Sequence, residues 1–371
     1  MIIKFSVAVI FFLLAANHAF GDSEHIIYDL GTVTDLIPDE NTVYFFEADK
    51  SIKSPTWILD TKVKMFDGNT VQNLSEKMFI HPTELKQNTI YLFFAILSED
   101  CLGQITCDYQ DLIQMAKSDG KITFLAKNLR SSIHISVEKN AIYASESDGK
   151  IWKINFDGSK KLLAKTQNIV MDLTSKADVV YWIEEVSDQN DTIFSIQEGS
   201  VPRKIDGNLM IPYDLTIQNG DLYWNEIQIL STKDTFSDFT IIKTNRNNKT
   251  KTLMEFQNTS PISKRLMTSH YGPYLVHRDN LFLVNNTKND PVIHMLELYN
   301  STKYDIATIS DYDAKYLRIG GNSLYVIGKN DNGFVIGKYP LPIKVPEFPS
   351  FLLIMMIALT SVIILPRFWH N

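Results

Sequence analysis

The chain is poor in cysteine, carries no excess of basic charge, and lacks every compact catalytic signature. Two cysteines among 371 residues are too few for the disulfide-dense scaffold of a small secreted domain. Lysine and arginine number 36 against 43 aspartates and glutamates, for a formal net charge of -7. No basic stripe or stacking motif stands out, so nucleic acid is not an expected partner: phosphate backbones are held by clustered Lys and Arg. There is no Gly-x-Ser-x-Gly elbow, phosphate loop or dinucleotide fingerprint, and no cofactor is implied. A Ser/His/Asp triad stays open, since its members need not be neighbours in sequence.

Metal chemistry finds little purchase. The histidines, His18, His25, His81, His134, His270, His277, His294 and His370, show no HExxH or other close ligand spacing. His270 and His277 flank Tyr271-Gly272-Pro273 and read either as a metal-binding loop pair or as ordinary surface histidines. Glu184-Glu185, Asp311 with Asp313, and Asp188 with Asp191 offer oxygen ligands, yet none fits a twelve-residue calcium loop. Solvated loop charge is the simpler reading. Cys101 and Cys107 are spaced C-x5-C; in an oxidising compartment such a pair is expected to close a small disulfide loop.

What the sequence does have begins at its ends. Residues 1–21 combine Lys4, an apolar run from Phe5 to Ala16, and small residues at Ala19 and Gly21. This is the pattern of a signal peptide cleaved before Asp22, with an uncleaved amino-terminal anchor as the alternative. At the other end, Phe351–Leu365 is apolar. Its 15 residues would reach about 22 Å as a helix, short of a hydrocarbon core of about 30 Å. With its flanks it approaches a full span. Arg367 behind it predicts an inward tail and an outward body. The expected order is signal peptide 1–21, folded body 22–342, Pro-rich linker 343–350, transmembrane helix 351–366 and cytoplasmic tail 367–371. The expected location is a cell membrane, single-pass, with the body on the extracellular side.

The body is built on a repeat. The copies are NTVYFFEA (41–48), NTIYLFFA (88–95), NAIYASES (140–147), DVVYWIEE (178–185), GDLYWNEI (220–227), DNLFLVNN (279–286) and NSLYVIGK (322–329). Each opens on a polar turn and carries an aromatic at its fourth position: Tyr44, Tyr91, Tyr143, Tyr181, Tyr223, Phe282 and Tyr325. The intervals are 47, 52, 38, 42, 59 and 43 residues, near the blade period of a propeller, about 40–50 residues. β-rich stretches such as 133–139, 171–177 and 213–219 precede copies, and hairpin-like pairs such as 150–165 and 240–256 follow them. Asp-Gly pairs at 67–68, 119–120, 148–149 and 157–158 mark turns. The expected fold is therefore all-β, a propeller of seven four-stranded blades. The last blade lacks a fourth strand, and residues 25–34 are expected to supply it and close the ring. Irregular early blades leave six or eight open.

Two resemblances follow from these residues. Val180-Tyr181-Trp182-Ile183-Glu184 and Leu222-Tyr223-Trp224-Asn225-Glu226 resemble the Tyr-Trp-Thr-Asp repeats of low-density-lipoprotein-receptor propellers, with Ile151–Gly158 similar to the strand and turn that follow. The Thr-Asp half is replaced throughout, so the resemblance implies a propeller and not lipoprotein binding. Pro346-Glu347-Phe348 before the apolar run resembles the Pro-Glu-Phe sorting signals of archaeal surface proteins. That resemblance implies a helix removed in processing and replaced by a lipid; the plain alternative is a permanent anchor.

Glu184 and Glu226 recur two residues after Trp182 and Trp224, and Glu47 follows Tyr44 by three. Near a propeller axis such carboxylates would either face the channel or bond a neighbouring blade. Asn73, Asn190, Asn248, Asn258, Asn285 and Asn300 head Asn-x-Ser/Thr triplets and are glycan candidates in an exported chain. The functional expectation is a membrane-anchored surface propeller binding an extracellular protein or glycan. The alternatives are an exported propeller hydrolase or lyase working in the channel, and a structural envelope component.

Overall fold

The computed structural model describes residues 24–341, apart from 41, 49–59, 81, 102–107, 132, 187–189, 232–235, 247–248, 259–273, 278–279, 286–290, 298–301 and 310–311. Chain contacts separate a compact unit, Asp22–Tyr339, from the two ends. The ends, with the expected signal peptide, Pro-Glu-Phe motif and anchor, lie outside the described residues. Among the described residues no helix is long and apolar enough to cross a membrane.

The compact unit is a seven-bladed β-propeller. Seven antiparallel sheets follow one another along the chain, each of four strands except the first, where a short fifth strand joins. The first strands of the blades are Thr32–Asp39, Thr83–Gln87, Ile135–Val137, Val170–Lys176, Pro212–Gln218, Tyr274–His277 and Asp313–Gly320. First strands touch their neighbours from blade 6 through blades 7 and 1 to blade 5, and they line the axis. The ring closes through the start of the chain, but the closing strand ends at Leu30, and 32–34 of the expected 25–34 open blade 1 instead. Glu24–Leu30 pairs with Phe334–Pro340 and becomes the outer strand of blade 7, with Glu24 opposite Lys338.

Each repeat aromatic falls on the second strand of its blade, where two-sided burial favours continuous apolar runs. The core is not one mass. It is a series of slabs between neighbouring blades, such as Phe45 with Tyr325 and Ile336 between blades 1 and 7, and Tyr143 with Trp182 and Ile196 between blades 3 and 4. The tyrosine hydroxyls reach across these slabs: Tyr143 donates to Asp178 at 2.9 Å, and Tyr325 to the carbonyl of Glu40 at 3.4 Å. Gly68, Gly120, Gly149 and Gly158, each after an aspartate, adopt φ of +98°, +67°, +86° and +84°, the left-handed region in which a Cβ is unfavourable.

Candidate functional site

The second-strand glutamates do not form the channel wall. Glu226, 1% exposed, accepts the indole N–H of Trp224 at 2.9 Å. Glu146 does the same for Trp152 at 2.8 Å. Glu184 accepts the side-chain amide of Asn168 at 2.9 Å, and Glu47 accepts the backbone N–H of Gly31 and pairs with Lys64. They brace the sheet, and of the two readings offered by the sequence their partners support the structural one. The second strand reaches the channel wall through other residues, Tyr223, Trp224 and Asn225 of blade 5.

The axis is lined by the first strands, which repeat a different pattern: an acid followed by leucine. Asp35-Leu36, Glu84-Leu85, Asp172-Leu173 and Asp214-Leu215 occupy equivalent places in blades 1, 2, 4 and 5. The leucines are buried between blades. Register shifts flank each acid, so the strand bulges there, and a bulge re-aims a side chain. Glu84 and Asp214 sit at φ of +59° and +52°.

The channel holds a cavity of about 570 Å³. Its wall includes Asp35, Glu84, Lys86, Ser136, Asp172, Thr174, Asp214, Thr216 and Arg318. Side chains link the inner strands from blade to blade. Arg318 of blade 7 donates to Asp35 at 3.1 Å, and Asp35 accepts the Leu85 amide of blade 2 at 3.1 Å. His134, leading into blade 3, lies 3.4 Å from Glu84 of blade 2. Ser136 and Ser175 hydroxyls meet at 2.8 Å between blades 3 and 4. Asp172 accepts its neighbour Leu173 N–H and the Leu215 N–H of blade 5, both at 2.7 Å.

These groups titrate away from their ordinary values. Burial pushes Asp172 up to about 6, with the His134 charge pulling the other way and Asp214 and Glu84 adding to the rise. Glu84 falls to about 2: burial opposes this, but Lys86 and His134 outweigh it. Burial lowers Lys86 and His134, and the carboxylates around them more than restore the loss, so both end raised. The channel therefore carries a carboxyl that titrates near neutrality beside a permanent carboxylate.

Other expected residues fall elsewhere. Tyr44, Tyr143, Tyr223, Phe282 and Tyr325 are buried, and Tyr91 and Tyr181 are half-buried. Cys101 is buried; Cys107 lies outside the described residues. Asn73 and Asn190 are exposed, while Asn248 and Asn300, and the side chains of Asn258 and Asn285, are not described. His270, Asp188 and Asp311 are likewise outside. Among the described residues no group of three or more His, Cys, Asp or Glu could hold a metal. The channel acids were missed in sequence, although their signal was present: MDLT at 171–174 and YDLT at 213–216 are near-copies.

The chain matches no family model and no curated protein. Solved structures do resemble it. A computationally designed protein, Ika8, is 13% identical over 85% of this chain and 97% of its own, with a TM-score of 0.53. An oligogalacturonate lyase in complex with manganese is 8% identical over 86% of this chain and 96% of its own, at 0.54. The tricorn protease is 12% identical over 86% of this chain but only 34% of its own, at 0.52. At such identities the likeness is one of fold alone.

Proposed function

We propose that this propeller is a binding module that holds a polar ligand in its central channel. One observation carries the reading: a cavity of about 570 Å³ whose cations and carboxylates are held in place by bonds between blades. The volume lies within the range of small-molecule sites. Pre-positioned charge binds with little ordering cost. A thermal-shift screen of the full chain against small polar ligands tests it. A hit should be lost in Lys86→Met, and a hit indifferent to every channel substitution would refute the reading.

A second reading rests on Asp172 and Glu84. Two carboxyls of one cavity, one raised to about 6 and one lowered to about 2, form the kind of pair that divides acid and base roles in hydrolases and lyases. Turnover abolished by Asp172→Asn in a correctly folded chain would favour it.

The setting is proposed from sequence pattern. The propeller is exported by residues 1–21, bridged at Cys101–Cys107, glycosylated on its Asn-x-Ser/Thr sites, and held at the cell surface by 351–366 with Arg367 inside. The Tyr-Trp-x-Glu repeats and Pro346-Glu347-Phe348 support kinship with receptor-type propellers and archaeal sorting signals. Mass spectrometry of the mature protein tests the ends: a first residue of Asp22 is expected, and an intact Trp369 would rule out sorting cleavage.

A further inference from the structure

Blade 5 is longer than its neighbours. Its second and third strands, Asp221–Ser231 and Phe236–Arg246, each run 11 residues, and its fourth, Lys249–Asn258, runs 10. In the other blades the second and third strands hold five to eight. The extra length lies at one end. The first strand begins only at Pro212, opposite Glu226, and proline has no N–H to carry a ladder further. Past Glu226 the second strand pairs with the third alone, from Ile227 with Thr240 to Ser231 with Phe236. The fourth strand accompanies the third as far as Asn258, opposite Asp238. A three-stranded tab therefore continues beyond the inner strand. Residues 227–231 have no ladder partner on their inner side among the described residues.

The two edges of this tab differ. The outer edge, on the fourth strand, carries Lys249, Lys251 and Glu255. Its pairing with the third strand shifts register between Ile242 and Lys243. Charge and bulges are the ordinary protections of an exposed strand. The outer strands of blades 2, 3, 4 and 6 are charged as well, with Lys127, Lys160, Arg203 and Lys303. The inner edge of the tab reads Ile227-Gln228-Ile229-Leu230-Ser231. It holds no charge and no proline, and its register with the third strand runs without a shift. At about 3.4 Å per residue it offers about 17 Å of regular, open ladder.

We infer that this edge pairs with the same edge of a second copy of the chain, antiparallel about a two-fold axis. Such a contact sets one strand against itself. Centred on Ile229, it places Ile227 opposite Ser231 and Gln228 opposite Leu230, so no like charges meet. The outer edge fails this test: centred on Thr250, it would set Lys249 opposite Lys251. Symmetry also selects a copy over an unrelated peptide. A peptide added as a strand presents a new open edge of its own, whereas two tabs joined by their inner edges close both at once. The product is one six-stranded sheet. A five-residue ladder falls short of the roughly 1,200–2,000 Å² of a stable interface, so the dimer is weak and forms at micromolar concentration or above. The pairing does not depend on what the channel holds.

The test is sedimentation velocity of the full chain in detergent across micromolar concentrations. The parent should show a monomer–dimer equilibrium. Ile229→Lys and Ile229→Glu should each weaken association several-fold or more, because each sets like charges opposite one another. An equimolar mixture of the two should dimerise again, because Lys then faces Glu. Melting temperatures equal to the parent's show that both variants fold. Ile229→Cys supplies a second readout that needs no charge. Residues directly opposite in an antiparallel pair have Cα atoms about 4.5–5.5 Å apart, within disulfide reach. Oxidation should therefore link two copies through Ile229→Cys and should not do so through Lys251→Cys on the outer edge. A parent that stays monomeric would overturn the inference and point to another part of the chain covering this edge. So would a dimer indifferent to Ile229→Lys, as association through the apolar ends would be, and so would a charge mixture that stays monomeric.

Discussion

In blades 1, 4 and 5 the first and second strands use the same chemistry, a carboxylate among large apolar residues, to opposite ends. Glu226 on the second strand of blade 5, and Glu146 just past that of blade 3, are buried and accept indole N–H groups. On the first strand Asp35 and Asp172 bond backbone amides of the next blade and still border an open cavity. The difference is position and not residue type. A carboxylate between sheets has no water and must be fully matched. One at the axis can keep a face toward solvent or ligand.

The largest effect that would break this comparison is expected at Glu226. Glu226→Ala leaves the Trp224 N–H buried without an acceptor, at a cost of about 2–3 kcal/mol in urea unfolding. If the mutant is as stable as the parent, the bracing role is wrong. Asp172→Ala comes next, at about 2 kcal/mol, because two backbone amides lose their acceptor. The signature is local: hydrogen exchange should accelerate at Leu173 and Leu215, the two amides it holds.

The third prediction concerns pH. Asp172 is raised from 3.8 to about 6, so the folded state takes up a proton more readily than the unfolded one. Its contribution lowers stability as pH rises from about 4 to about 6. Glu84 is lowered from 4.5 to about 2 and acts in the opposite sense: its contribution is present above 4.5 and is lost as pH falls toward 2. Stability of Asp172→Asn, followed from pH 4 to 7, should lack the decline that the parent shows. An unchanged profile would mean that Asp172 is ordinarily solvated.

The smallest effect sharpens the contrast between two look-alike repeats. Tyr-Trp-Ile-Glu in blade 4 and Tyr-Trp-Asn-Glu in blade 5 differ at one position. Glu226 bonds Trp224, whereas Glu184 turns to Asn168 and the buried Trp182 N–H has no hydrogen-bond partner among the described residues. Trp182→Phe therefore forfeits packing but no hydrogen bond. It should cost clearly less than Trp224→Phe in the same unfolding assay.

Much of this architecture was legible before the structure. The repeat aromatics lie on second strands because those strands are buried on both faces, and burial leaves a dense local pattern. The closing strand could be read as a surplus at one end matching a deficit at the other. The channel was harder. MDLT and YDLT are visible as words, yet nothing local tells an axial acid from a bracing one. Glu226 was the more conspicuous residue and proved to be structural.

By itself the sequence determined the class and pointed to seven blades and a closing strand, since period, turn chemistry and apolar alternation act between near neighbours. Only the tertiary structure decided which carboxylates meet. Asp35 reaches Arg318 across 283 positions of sequence, and that encounter exists only once the ring has closed. The lining of the channel comes from the circular order of blades, where residues far apart in the chain become walls of one cavity.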